Sequence, residues 1–283
     1  MAYAAFGLVL ISGFVHSVWN LFAKRSINKH AFLWLCCGTS SIMFLPFVWS
    51  DQEAFSDVDP QGWVIIAASV IIHGVYIYLL ATAYKIGDLS QVYPIMRGTS
   101  PLLVPVFGVL LLNERLQLVG WIGIACIVIG IVRAGNLRVG QLVKKGNHAV
   151  YVALMVGALI TAYTVVDKVA IRHVPPQLLT ELTNIGNFAA LTLFAIREKG
   201  IAREWRVNWP TILLGGILSP GGYILFLMAL EMLPVSQLAP MREIGTVFGT
   251  LMGVFLLREP QGKQRIWASV LITAGIVLLA RQS

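Results

Sequence analysis

The chain has 283 residues, of which 57% are hydrophobic and 12% charged, and its formal charge is +8. A soluble domain holds about a quarter charged residues, so a soluble catalytic domain is excluded. The basic residues lie in short stretches between apolar runs rather than on a folded face, which excludes nucleic acid as a partner.

Apolar runs long enough to cross about 30 Å of hydrocarbon recur ten times, at about 3–22, 32–49, 62–83, 89–112, 118–135, 148–168, 177–196, 210–230, 236–257 and 265–281. No Lys or Arg precedes the first run and no small-x-small cleavage site follows it, so it reads as a span rather than a leader; His16, Trp19 and Asn20 lie towards its end. The second run holds Cys36 and Cys37; with Cys126 in the fifth they have no metal spacing, and no cofactor or metal is expected. An acidic loop follows, with Asp51, Glu53, Asp57 and Asp59. The third run carries His73, Tyr76 and Tyr78, with Tyr84 at its end. The fourth opens Ser90-Gln91-Val92-Tyr93-Pro94-Ile95-Met96-Arg97, holds Pro101 and Pro105, and closes Leu110-Leu111-Leu112-Asn113-Glu114. The sixth carries Tyr163, the seventh Glu181, and the eighth Pro220-Gly221-Gly222-Tyr223. The ninth opens Ser236-Gln237-Leu238-Ala239-Pro240-Met241-Arg242, continues with Glu243 and a Gly245, Gly249, Gly253 stripe, and closes Phe255-Leu256-Leu257-Arg258-Glu259. The stripe suits close helix approach within the chain. Trp49, Trp63, Trp121, Trp209 and Trp267 fall near span ends, where aromatic belts form.

Fifteen Lys and Arg residues fall in the loops after odd-numbered spans, against four on the other side. The positive-inside bias places the odd loops in the cytoplasm of a plasma-membrane protein and both termini on the non-cytoplasmic side.

The chain repeats itself at an offset of about 144–146: Gly13 matches Gly157, Trp19 matches Tyr163, Ser90 matches Ser236, Pro94 matches Pro240, and Glu114 matches Glu259. This divides it into 1–138 and 147–283, five spans each. Five is odd, so the halves must be oppositely oriented, and a site between inverted halves is the arrangement of a transporter.

On these residues the chain resembles the ten-helix members of the drug/metabolite transporter superfamily with two tandem EamA domains, over nearly its whole length. The second half departs after its acid, reading Pro260-Gln261-Gly262-Lys263 where the first reads Arg115-Leu116-Gln117-Leu118. Single-repeat relatives couple to protons through a Glu in the first helix; here Gly13 to Asn20 holds no acid, so that mechanism is not carried over. The resemblance implies an all-α integral membrane fold, with ten transmembrane helices as two inverted five-helix repeats around a central cavity. It also implies secondary transport of small amphiphilic metabolites, amino acids including aromatic ones, outward by alternating access, and no enzyme activity.

Charges inside spans are costly and mark function. Arg97 and Arg242 stand at nearly equivalent places in the two halves. Each either grips a substrate anion or pairs internally, Arg97 with Glu243 and Arg242 with Glu181. Trp19, Tyr78, Tyr93, Tyr163 and Tyr223 form a candidate aromatic cage, or packing between helices. His16 and His73 are candidate proton carriers or neutral, hydrogen-bonded groups. Pro94, Pro101, Pro220 and Pro240 are candidate hinges. Glu114 and Glu259 read as anchors of helix ends. The partners expected are a small-molecule substrate and membrane lipids, as monomer or homodimer. Two alternatives remain open: a carrier of phosphonates or phosphorylated metabolites, in which the twin arginines bind a doubly charged group, and a membrane enzyme or flippase partner acting on lipid-linked sugars, for which Glu114 and Glu259 are the candidate carboxylates. A purely structural subunit is disfavoured by the cost of the intramembrane charges.

Overall fold

The computed structural model describes residues 2–87, 89–135, 148–197, 200–256 and 262–282. Among these the secondary structure is helical throughout. The helices are α1 (Ala2–Arg25), α2 (Lys29–Ser50), α3 (Pro60–Ile86), α4 (Leu89–Leu112), α5 (Leu118–Ala134), α6 (His148–Ala170), α7 (Pro176–Arg197), α8 (Ile201–Met232), α9 (Val235–Met241), α10 (Ile244–Leu256) and α11 (Gly262–Ala280). Eight of them are long and apolar enough to span a membrane. Helix α5 is shorter, and α9 with α10 makes one interrupted span. The outcome is the ten-span all-α fold.

Local chemistry sets the ends. Asn28 caps α2 by accepting from Ala31 N at 3.1 Å. Asp59 caps α3 by accepting from Gly62 N at 2.9 Å, and Pro60, which lacks an N–H, takes the first helical position. Asn113 ends α4 with φ 55, the left-handed conformation that Asn tolerates. The 201–209 segment, expected as loop, is helical and joins α8, with non-helical angles at Asn208. Its Glu204 is fully buried and accepts from Asn28 N (2.7 Å) and Asn208 Nδ2 (2.6 Å), which ties α8 to the α1–α2 turn.

The expected breaks are redistributed. Helix α4 runs unbroken through Pro94, Pro101 and Pro105, and α8 through Pro220. The ninth span alone breaks at its proline, between Met241 and Ile244 just after Pro240. There Glu243 N donates to Pro240 O and Gly245 N to Arg242 O, so tight turns replace the helical ladder.

The packing has the symmetry that the repeat requires. Helix α1 packs on α8 as its counterpart α6 packs on α3, and α1 on α10 as α6 on α4. Helices α2 and α7 pack on each other, as do α5 and α11. The self-paired helices lie on the two-fold axis. At the α5–α11 crossing a Cβ on Gly123 would sit 2.7 Å from Gly275 O, so only glycine permits the approach. Gly245 does the same for α1: its Cβ would meet Gly13 O at 2.8 Å.

An even number of spans puts both termini at one end, called here the terminus end. There a single buried cluster draws on both halves, with Val9, Ile66, Val104, Leu178, Leu230 and Leu238. At the opposite end the buried cluster gathers α1–α4 and α6–α8 but takes no residue from α5, α10 or α11. Apolar residues such as Leu10, Ile42, Leu110 and Val277 face outward, together with Trp49, Trp63, Trp209 and Trp267 of the expected belts. Trp121 instead packs against the core.

Candidate functional site

A cavity of about 1050 Å³ lies at the centre of the bundle. Its lining reaches Lys29, Tyr84, Tyr93, Gly135 and Arg265, at or near helix ends on the side opposite the termini, where the core cluster is incomplete. It therefore opens at that end and is closed at the terminus end.

Of the sequence candidates, His16, Trp19, His73, Tyr93, Tyr163, Tyr223, Arg97, Arg242 and Glu243 all line this cavity, as do Pro94 and Pro220. Three candidates fall elsewhere. Tyr78 packs against Phe194, ring centroids 4.6 Å apart, and borders a separate shallow groove with Gly74 and Gly186. Pro101 and Pro240 are buried without lining the cavity.

The two arginines have different surroundings. Arg97 Nε lies 3.5 Å from Glu243 Oε2, and Thr246 Oγ1 donates to that same oxygen at 2.8 Å. Counting from the paired prolines, Arg97 of α4 corresponds to Glu243, not to Arg242; the ion pair thus joins repeat-equivalent positions across the two-fold axis. Arg97 also lies 5.9 Å from the Tyr93 ring. Among the described residues no carboxylate comes within ion-pair distance of Arg242. Glu181, its expected partner, is buried on α7 away from the cavity lining. The Arg242 guanidinium lies over the rings of Phe226 (4.5 Å) and Tyr223 (5.2 Å). Its buried Nε makes no hydrogen bond, and neither do Nε and Nη2 of Arg97. Among the described residues the cavity centre thus holds two guanidinium charges against the single carboxylate of Glu243, with donors lacking acceptors.

The aromatic groups form a connected wall. The Tyr163 ring stacks on His73 at 4.1 Å and meets Tyr76 edge-on at 5.2 Å. Tyr223 meets His73 edge-on at 5.7 Å. His16 and Trp19, also in the lining, have ring centroids 5.7 Å apart. Such a lining accepts an apolar or aromatic body and offers hydroxyls to its polar end.

Sequence reasoning passed over Asp167. It is fully buried near the end of α6 and accepts from Ser69 Oγ at 2.5 Å and from the Tyr223 hydroxyl. His73 Nε2 stands 3.6 Å from its Oδ2. An acid within an apolar run was the signal, but its neighbour Lys168 made the pair look like a span end. Lys168 instead turns its ammonium to the carbonyls of Leu230 and Leu233 at the end of α8. Glu114 anchors as expected, across the repeat boundary: its oxygens accept from Val235 N (2.9 Å) and Ser236 N (2.8 Å), which caps α9. Glu259 lies outside the described residues.

Comparison with known proteins agrees with this architecture. The model of the EamA-like transporter family matches residues 4–134 and 148–281. A probable 4-amino-4-deoxy-L-arabinose-phosphoundecaprenol flippase subunit of Pseudomonas fluorescens (strain Pf0-1) is 31% identical over 106 residues, 38% of this chain and 91% of that protein. An uncharacterized transporter from the cobO 3' region of a Sinorhizobium species is 35% identical over 75 residues, 26% of this chain and 52% of its own length. A crystal structure superimposes with a TM-score of 0.77 over 99% of this chain and 98% of that one; at 19% identity it speaks for the fold alone.

Proposed function

This chain belongs to the EamA-like transporter family, and from that premise we propose that it moves a small amphiphilic metabolite, an amino acid with an apolar or aromatic side chain, outward across the plasma membrane by alternating access. The observation that carries this reading is Arg242. A buried guanidinium with no carboxylate in ion-pair distance among the described residues is costly unless an anion completes it. The substrate carboxylate would take that place by charge-assisted hydrogen bonds. The rings of Tyr76, Tyr163 and Trp19, all in the cavity lining, would receive the apolar part. Arg97 is already paired with Glu243, so we assign it to holding the site together rather than to first contact with substrate.

The conformation fits one limb of the cycle. By the positive-inside bias the terminus end faces outward, so the cavity opens to the cytoplasm, as an exporter requires when loading. The second reading is a carrier of phosphonate, phosphorylated or lipid-linked solutes. It draws on the unbonded donors of both arginines, and on the flippase subunit among the relatives.

Uptake of radiolabelled aromatic, branched and small amino acids and of one phosphonate into proteoliposomes tests both. Saturable amino-acid uptake that is lost in Arg242→Ala and partly retained in Arg242→Lys supports the first. Uptake of the phosphonate alone moves the assignment to the second. Amino-acid uptake that Arg242→Ala leaves intact overturns the role of Arg242.

A further inference from the structure

The cluster around Asp167 is not used by the substrate reading above. His73 Nδ1 lies 3.0 Å from Ser69 O, a backbone carbonyl that can only accept, so Nδ1 carries a proton. The other nitrogen, Nε2, faces Asp167 Oδ2 at 3.6 Å. A bare Nε2 facing a carboxylate would set two acceptors against each other. One further proton between them removes the conflict, whether on Oδ2 or on Nε2. With it the pair is neutral; without it a buried pair carries one negative charge.

The surroundings make this proton exchangeable and its loss consequential. His73 and Tyr223 line the cavity while Asp167 lies behind them, so the imidazole is the route between carboxyl and cavity water. The donors to Asp167 come from α3 (Ser69) and α8 (Tyr223), helices of different halves. On its own helix stand Tyr163, stacked on His73, and Lys168, turned to the α8 carbonyls. Of the charged groups on the other elements that pack on α6, Arg97 of α4 is paired with Glu243, Arg242, after α9, lies over Tyr223, and Glu114, just after α4, and Glu231 of α8 stand nearest Lys168.

We propose that Asp167 and His73 form a single-proton binding site in the wall that closes the terminus end of the cavity, and that its occupancy couples proton movement to opening there. This goes beyond the transport reading and rests on it only for the coupling. The step is a proton transfer. The O–H bond at Asp167 Oδ2 breaks as the N–H bond at His73 Nε2 forms, and the imidazolium then passes that proton to water. The carboxylate left behind keeps its bonds from Ser69 and Tyr223 but carries an uncompensated buried charge, which favours parting α3 from α6 and α8 to admit water.

Infrared difference spectroscopy on the full chain in lipid nanodiscs, titrated over about pH 4–10, needs no substrate. It therefore stands or fails independently of the transported solute. In wild type one carboxyl band and the imidazole bands change in the same step. Asp167→Asn loses that carboxyl band and one titrating proton per chain. Should that variant not fold, His73→Gln keeps the carboxyl band, shifts its midpoint and loses the imidazole change. Ile66→Cys at this buried position, in a chain whose native cysteines are replaced, labels with maleimide faster above the midpoint than below it. Carboxyl and imidazole titrating in separate steps, an Asp167→Asn spectrum equal to wild type, or equal labelling rates on both sides overturn the proposal.

Discussion

The Arg97–Glu243 pair makes the sharpest prediction, because it separates a structural arginine from a binding one. At 3.5 Å and an effective dielectric of about 20, two unit charges attract by about 5 kcal/mol. Desolvation offsets part of that, and removing one partner of a buried pair costs about 3–5 kcal/mol, because the other charge is left uncompensated. For a chain of this size about 1 kcal/mol moves the melting temperature by about 2–4 °C. Glu243→Gln should therefore lower the apparent Tm in detergent by roughly 6–20 °C, read at one fixed scan rate because unfolding in detergent is irreversible. Arg97→Gln should act in the same direction. The double variant should regain much of the loss, with a coupling of about 2 kcal/mol, since two neutral amides no longer bury an unmatched charge. Single effects that add in the double variant to within about 0.5 kcal/mol would show that the pair is not coupled. Arg97 would then return to the list of substrate anchors.

Three further outcomes follow from other parts of the structure. Glu114→Ala removes the acceptor of two backbone N–H groups at the start of α9 and should cost about 2–3 kcal/mol, measured as a drop in Tm; an unchanged Tm removes the cap from the account. Gly123→Val forces side-chain atoms against Gly275 O and should part α5 from α11, seen as loss of the monodisperse peak in size exclusion. Tyr163→Ala should raise the KM for the transported solute, whereas Tyr78→Ala, which faces Phe194 instead of the cavity, should leave KM at the wild-type value. Equal effects of the two tyrosine variants would disconnect the aromatic wall from binding.

The apolar runs gave the spans because membrane helices are fixed by length and hydropathy, which are local properties. The register of the repeat went further: it gave the inverted orientation of the halves, and Ser236 falling on Ser90 and Pro240 on Pro94 put the two arginines at nearly equivalent places. What it could not give was the direction of a side chain on its helix. Tyr78 and Tyr76 are two residues apart and so about 200° around α3; one faces Phe194 and the other the cavity. Proline positions were equally ambiguous, since α4 and α8 absorb Pro101 and Pro220 without breaking while the ninth span breaks after Pro240. Asp167 was hidden for another reason. Its partners Ser69 and Tyr223 lie 98 and 56 residues away, and only the tertiary structure shows a satisfied buried acid rather than a residue at the water interface.

The pairing of α1 with α8, and of α6 with α3 and α4, has a consequence for biosynthesis. Neither half builds a complete core from its own helices, so the first five spans leave the ribosome without their packing partners. At about 5–20 residues per second, the second half arrives on the order of ten seconds later. Through that interval the groove beside Gly13 that will take Gly245, and the Ser69 hydroxyl that will meet Asp167, face lipid or the insertion machinery instead. Assembly is thus a post-insertion event in which late helices dock among early ones, and a truncated first half would be a substrate for quality control rather than a working module.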